Sequence, residues 1–376
     1  MKNVLVTGAG GFIGKNLVQA LRRLPGLKIG GIDVEDSEEK LWSLLDGSDV
    51  VYHLAGVNRP KSEDEFEHGN AGLTRRICER LLRSKRLPKV VLSSSVQAAY
   101  DNPYGRSKRA SEEAVLEYAR TKGAPVAIYR LKNVFGKWCR PNYNSVVATF
   151  CHNISHDLEI SISEPSRVLE LAYIDDVVRA LTGELMDEVR AKGPGGEREV
   201  NKRVAPVYSI TLGELAETIR SFKGIRHSLV LPDLGGSLVQ KLYGTYLSYL
   251  EPDDLSYDLD VRSDHRGMLA EFIKSEKSGQ IFVSRTAPGI TRGQHYHDTK
   301  AEKFLVVEGE GIIRLRHVLS ANILEHRVSG GKFQVLEIPP GYTHSIENVG
   351  SGELVTLFWA SQVFDKDYPD TYGENV

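Results

Sequence analysis

The stretch Thr7-Gly8-Ala9-Gly10-Gly11-Phe12-Ile13-Gly14 restricts the fold more than any other part of the chain. It follows a short apolar run, Asn3–Val6, that reads as a strand. It precedes Ile13, Leu17, Val18, Leu21 and Leu24 at helical spacing. A second apolar segment, Lys28–Ile32, ends at Asp33. Strand, glycine turn, helix, strand and acid make up a βαβ unit of the dinucleotide-binding kind. Gly8 permits the tight turn. Gly11 lets the backbone approach a pyrophosphate, which then sits on the helix N-terminus. Gly14 lets helix and strand pack closely. Asp33 is placed to accept hydrogen bonds from an adenosine ribose. A carboxylate there repels a 2′-phosphate, so this residue alone favours NAD over NADP.

The next strand, Val50–Leu54, runs into Ala55-Gly56. The span from Asp33 to Val50 has room for only one short helix, about Ser37–Leu45, so the sheet is expected to be trimmed at that edge. Lys89–Leu92 leads into Ser93-Ser94-Ser95, and Val126–Arg130 is a further strand. Strands alternating with helices predict a doubly wound parallel sheet of the Rossmann type, with ligands at the strand C-terminal ends. Between these strands lies Pro103-Tyr104-Gly105-Arg106-Ser107-Lys108. Tyr104 and Lys108 fall one turn apart on one helix face, with Asn102 as cap, Pro103 in the first turn and a stop at Gly123. An ammonium beside a phenol favours the phenolate. Moving a tyrosine from about 10 towards 7 takes roughly 4 kcal/mol, which makes Tyr104 an acid/base candidate. Asp175 and Asp176 precede an apolar helix and are expected to cap it, and Thr211-Leu212-Gly213-Glu214 reads as a capping box.

The pattern changes at Glu251-Pro252-Asp253-Asp254. Beyond it come short strands with Gly and Pro turns: Gln280–Ser284, Glu302–Val307, Gly311–His317, Phe333–Ile338 and Glu353–Ala360. These predict an all-β sandwich or barrel over 252–376, after an α/β domain over 1–251. In a strand, His295 and His297 point to one side. With Glu302 and His344 they offer three nitrogens and one oxygen, which suits Zn2+ or another divalent transition metal. A net charge of −2 gives no electrostatic case for nucleic acid or an anionic membrane surface. No apolar run approaches the length of a membrane span. The three cysteines lack metal-ligand spacing and read as reduced thiols in a cytoplasmic protein, and Met1 leads almost directly into a strand, leaving no room for a signal peptide.

Thr7-Gly8-x-x-Gly11-x-x-Gly14, Leu54-Ala55-Gly56, the serine run, Tyr104-x-x-x-Lys108, Arg130–Gly136 and Tyr173–Val177 together resemble the extended short-chain dehydrogenase/reductase family. The resemblance implies that Tyr104 exchanges a proton with the substrate oxygen. It implies that Lys108 binds the nicotinamide ribose, and that Ser94, with Ser95 close behind, donates to the same oxygen. It places the cofactor on Gly8, Gly11, Phe12, Ile13, Gly14, Asp33, Leu54, Ala55 and Gly56, and a nucleotide sugar near Asn133, Arg140, Asn144 and Ser145.

His295-x-His297, Glu302 and His344 resemble the metal ligands of the cupin superfamily, a small jelly-roll barrel. Asp264-x-Arg266-Gly267-x-x-x-Glu271 with Gly289–His295 looks like its dTDP-4-keto-rhamnose epimerase branch. There the histidine removes a proton beside a ketone. One imidazole cannot be a bound ligand and a free base at once, so Tyr296, Lys303 and Tyr342 are alternative bases. The fusion resembles the capsular polysaccharide assembling protein family, CapF and its O-antigen relatives. That implies a homodimer in which the cupin epimerises C3 of a UDP-2-acetamido-2,6-dideoxy-4-keto-hexose. The reductase then reduces C4 with NADPH, NAD not being excluded, to UDP-2-acetamido-2,6-dideoxy-L-talose. The alternatives are a reductase with a structural, dimerising cupin, or a redox-neutral epimerase or dehydratase. Val96-Gln97 after the serines, in place of an acidic pair, argues against a dehydratase.

Overall fold

The structure, a computed structural model, describes residues 1–60, 62–185, 200–264, 267–270, 273, 279–362 and 365–376. Arg266 and Glu271 of the epimerase-like motif lie outside the described residues. The chain forms two compact units, one of Met1–Ser145 with Leu169–Ser209, the other of Val146–Val168 with Ile210–Val376.

The first unit alternates β1 (Lys2–Thr7), α1 (Phe12–Arg22), β2 (Leu27–Ile32), α2 (Glu38–Gly47), β3 (Val50–His53), α3 (Asp64–Phe66), α4 (Leu73–Arg83), β4 (Lys89–Ser95), α5 (Pro103–Lys122) and β5 (Val126–Leu131). The strands lie in the order β2-β1-β3-β4-β5, followed by the short strand Asn201–Lys202, and every pair is parallel. β2 stands at the edge, so the sheet is trimmed where the short β2–β3 connection predicts. Strands covered on both faces read as continuous apolar runs, and Leu5, Val51, Val90, Leu92 and Ile128 are buried against Ile77 and Leu81 of α4 and Val115 and Tyr118 of α5.

Local chemistry fixes the helix starts that matter. Asn102 accepts from the Gly105 amide at 2.8 Å, Pro103 opens α5, and Gly123 closes it in the left-handed region. α1 starts after Gly11 with no side chain capping it. The helix Ile174–Gly183 differs from expectation. Tyr173 is its N-cap, and Asp175 and Asp176 lie inside the first turn, where they complement the dipole and pair with Lys137 and Arg179.

In the second unit two five-stranded sheets hold the expected strands. One runs Ser256–Asp258, Gln334–Ile338, Glu302–Glu308, Leu354–Ala360, Gln280–Thr286. The other runs Ile323–Ser329, Glu310–His317, Tyr342–Asn348, Thr291–Tyr296, Tyr372–Gly373. All their pairs are antiparallel, as in a jelly roll. Ile323–Ser329 escaped the sequence reading because it is a rim strand with little apolar alternation. The helices Val146–Ser155, Leu212–Ser228 and Ser237–Leu247 belong to this unit. Tyr243 packs on Phe222 at 5.2 Å and on Trp359 of the sheet at 6.5 Å. The second of these helices opens with the expected capping box at Thr211 and Glu214. Among the described residues no helix is long and apolar enough to cross a membrane.

A Cβ on Gly14 would lie 2.0 Å from the Gly8 carbonyl oxygen. Gly14→Ala is therefore expected to cost the first unit about 1–3 kcal/mol and to weaken dinucleotide binding. A urea midpoint and a cofactor titration check this, and unchanged values would contradict the packing role.

Candidate functional site

β4 delivers the three serines to the C-terminal edge of the sheet, and α5 presents Tyr104, Lys108 and Glu112 on one face at successive turns. One cavity of about 390 Å3 there is lined by Ser93, Ser94, Ser95, Tyr104 and Lys108. Phe12, Ile13, Leu54 and Gly56 line it from the side of the glycine turn, and Asn133, Asn144 and Ser145 also line it. Arg140 is not among the lining residues.

The serines divide their work. Ser94 donates its hydroxyl to buried Glu112, which also receives the Arg130 guanidinium through Nε at 2.9 Å and Nη2 at 2.6 Å. The Ser95 hydroxyl accepts from the Gln97 amide and, on the side of Tyr104, favours the phenolate. The expected Ser94 hydroxyl is thus turned to Glu112, and Ser95 is the serine that acts on the phenol's proton affinity. Phe66 packs against the Tyr104 ring at 5.5 Å.

Burial raises the Tyr104 phenol above its ordinary value, and the Ser95 bond offsets this only in part. That is opposite to the direction expected from Lys108. The ammonium is turned to the Ser93 carbonyl at 2.7 Å, and burial pulls it down to about 8 while Glu112 opposes the fall. Behind the site, buried His53 joins Thr7 at 2.7 Å to Thr74 at 2.9 Å. Burial and then Lys108 push this imidazole down to about 3, so it braces the strand as a neutral group.

Gly8 holds a φ of 70°, and a Cβ there would meet the Ala55 amide at 2.8 Å. Gly11 leaves the start of α1 clear. The Asp33 carboxylate accepts from the Gly10 amide at 2.9 and 2.7 Å, so it shapes the glycine turn. Two contributors were not legible in the sequence. Asn70 ties the Gly56 turn to α5, accepting from Val57 at 2.8 Å and donating to Ser107 at 3.0 Å. Arg59 donates to Asn144 at 3.2 Å and lies 5.8 Å over the Tyr143 ring, on which Arg140 also stacks at 5.2 Å. Neither stands in a periodic or motif context, so single-sequence reasoning had no signal for them.

The second cluster lies in the jelly roll. His295 pairs with His344 across adjacent strands, at a bulge where Gln294 has a φ of 60°. His297 follows that strand, and Glu302 opens another. One ligand atom from each of the four lies within 4.8 Å of every other. Glu302 Oε2 is 3.1 Å from His297 Nε2 and 3.3 Å from His344 Nε2. Burial works to raise the Glu302 carboxyl, but these two imidazoles outweigh it and hold it below its usual range. Burial and the two neighbouring imidazoles push His295 down to about 4. His297 Nδ1 donates to the Asp370 carbonyl at 2.5 Å, so Nε2 is the ring nitrogen turned to Glu302 and the cluster. His295 is bonded to the Gly293 backbone and His344 Nδ1 is 3.5 Å from the Tyr342 carbonyl. Three imidazoles converging with one carboxylate, each ring with a backbone partner, make a donor set that fits a divalent transition metal.

The alternative bases separate cleanly. Lys303 follows Glu302 and so faces the other side of the sheet, sealed in an ion pair with Glu337 and bonded to Tyr257 at 3.2 Å. Tyr296 is buried against Tyr372 at 5.5 Å. Tyr342 shares the face of His344, with His317 at 5.1 Å.

Residues 4–196 match the NAD dependent epimerase/dehydratase family, and residues 262–372 match a polysaccharide biosynthesis C-terminal domain. The crystal structure of capsular polysaccharide assembling protein CapF from Staphylococcus aureus shares 42% identity, covers 100% of both chains and superposes with a TM-score of 0.64. The chain belongs to the CapF family. Another relative of this family member is UDP-2-acetamido-2,6-beta-L-arabino-hexul-4-ose reductase of Pseudomonas aeruginosa, 44% identical over 99% of this chain and 98% of its own. UDP-glucuronic acid 4-epimerase of Bacillus cereus, 20% identical over 59% of this chain and 84% of its own with a TM-score of 0.52, shares the fold. Like its family, this CapF-type chain uses NAD(P).

A charged ammonium donates more strongly than a neutral amine, so if Lys108 meets a ribose hydroxyl, NAD(P)H affinity is expected to fall as pH rises through about 8. Lys108→Arg should extend binding to higher pH. Fluorescence titration across pH 6–10 checks this, and a flat wild-type profile would contradict it.

Proposed function

We propose that this chain is a nucleotide-sugar reductase with a second, epimerising site. It acts on a UDP-linked 2-acetamido-2,6-dideoxy-4-keto-hexose. The jelly roll epimerises C3, and the N-terminal site reduces C4 with NADPH to UDP-2-acetamido-2,6-dideoxy-L-talose. The observation that carries the reading is the Ser95–Tyr104–Lys108 set on one cavity beside the glycine turn, in a chain alike over its whole length to a UDP-hexulose reductase.

A bound nicotinamide supplies the hydride. The chain supplies the proton and the geometry. Reduction of a ketone consumes a proton at oxygen, so the acid must be protonated at neutral pH, and the burial that raises Tyr104 keeps it so. Ser95 aims the phenol, and Lys108 holds the ribose and restores charge balance after transfer. Ser94 orders Glu112 behind them. Arg59 and Arg140, flanking Tyr143, suit the diphosphate. Asn133, Asn144 and Ser145 suit the sugar.

In the jelly roll, His295, His297, Glu302 and His344 would hold Zn2+ or a related ion, which supplies a Lewis acid for the C4 ketone. Tyr342 beside His317 is the base favoured by position. Epimerisation comes first, because only the C4 ketone makes the C3 hydrogen acidic. A second reading keeps the reductase and makes the metal structural, since four protein ligands can close a tetrahedral site. The reading includes a cytoplasmic homodimer. Free cysteines and the exposed Ile281 and Val283 on the edge strand Gln280–Thr286 support it.

Tyr104→Phe is expected to cut NADPH oxidation by about 10²–10⁴-fold and leave deuterium exchange at C3 intact. His295→Ala should do the reverse, impairing exchange and metal retention. Absorbance at the NADPH band and proton NMR read the two separately. Normal NADPH oxidation by Tyr104→Phe would remove the reductase assignment, and unimpaired exchange by His295→Ala would leave the structural-metal reading.

A further inference from the structure

Among the described residues, one outside the four candidate ligands makes more side-chain hydrogen bonds to their loop than any other. Asp370 lies beyond the last long strand, yet its carboxylate collects four hydrogen bonds from the loop between His297 and Glu302. Oδ1 accepts from the Asp298 amide at 2.9 Å. Oδ2 accepts from the Thr299 amide at 3.0 Å, the Lys300 amide at 2.9 Å and the Thr299 hydroxyl at 2.7 Å. Lys300 Nζ adds a bond to the Pro369 carbonyl at 3.0 Å. Asp370 itself sits at a φ of 40°, a strained region for a residue with a side chain. That backbone turn is what brings its carbonyl to His297 Nδ1 at 2.5 Å while the carboxylate stays in the loop. Beyond it, Gly373 pairs with His295, and the Glu374 amide donates to the Gln294 carbonyl at 2.9 Å.

We infer that Asp370 is a positioning residue for the metal centre. Its carboxylate fixes the 297–302 loop, and its carbonyl fixes the tautomer and ring orientation of His297, so that Nε2 faces the ion. The inference rests on the metal reading above and adds to it. Carbonyl partners of ligand imidazoles raise ligand basicity and hold the ring in place, and their loss typically costs about 10–100-fold in metal affinity. Here the carbonyl belongs to a segment just before the strand Tyr372–Gly373, and the carboxylate of the same residue clamps the loop, so the clamp should be felt at the ion without touching it.

The test uses full-length protein stripped with a chelator and then given Zn2+ or Co2+ alone. Asp370→Asn tolerates the left-handed backbone and keeps one acceptor oxygen. Asp370→Gly removes the carboxylate and relieves the backbone as well, so a shared defect cannot come from strain. Both variants are expected to bind Zn2+ about 10–100-fold more weakly in competition with a chromophoric chelator. Both should alter the visible spectrum of the Co2+ form, and both should lose hydrogen-exchange protection at Asp298, Thr299 and Lys300. NADPH binding at the other site should be unchanged, which reports that the chain is folded. Wild-type affinity and an unaltered Co2+ spectrum in variants whose loop amides have lost protection would overturn the inference while leaving the metal reading standing. A wild-type protein that takes up neither ion would remove the metal reading, and this inference with it.

Discussion

The ion pair between Glu112 and Arg130 sets the register on which the N-terminal site depends. Glu112 stands two turns beyond Tyr104 on α5, and its side chain is only 5% exposed. Arg130 reaches it from β5 with two nitrogens, and Ser94 reaches it from β4. A buried carboxylate held by a bidentate guanidinium locks the helix to two strands at once. Removing one partner of a buried pair typically costs about 3–5 kcal/mol, and less here because Arg130 is 40% exposed. With α5 so fixed, Tyr104 falls beside Ser95 and Lys108 beneath the Ser93 carbonyl. The phenol therefore sits in a buried, protonated state suited to giving a proton to a developing alkoxide.

The jelly roll uses strand alternation to keep two chemistries apart. Glu302 turns inward to the three imidazoles. Lys303, the next residue, turns outward into an ion pair with Glu337, which Arg226 and Tyr257 extend. Burial works to lower the Lys303 ammonium, but Glu337 outweighs it, so the lysine stays charged and unavailable as a base. Its adjacency to a ligand is a consequence of period two, and its task is to join the sheet to the helices packed on it.

Much of this was legible in the residues. The glycine turn, the Asn102 cap and the strand alternation at His295 and His297 are local rules, and local rules can be read from one chain. The choice between Ser94 and Ser95 could not be read, because both lie at one strand end and only the α5 register decides which meets the phenol. The direction of the Tyr104 shift was also hidden. Helical spacing brings Lys108 within a turn, but only the fold shows the ammonium bonded to a carbonyl and the phenol buried. Asp370 and Arg59 were invisible for a related reason. Each meets its partners across a long sequence separation, in loops without periodicity.

The proposed activity is two reactions in one chain, in a fixed order. The most direct measurement incubates the protein with a UDP-linked 2-acetamido-2,6-dideoxy-4-keto-hexose in heavy water, first alone and then with NADPH. Deuterium at C3 is followed by NMR and the cofactor by absorbance. Exchange at C3 is expected before any cofactor is added, followed by NADPH loss matched by the C4 alcohol. NADPH loss without exchange would contradict this and leave a reductase joined to a binding module.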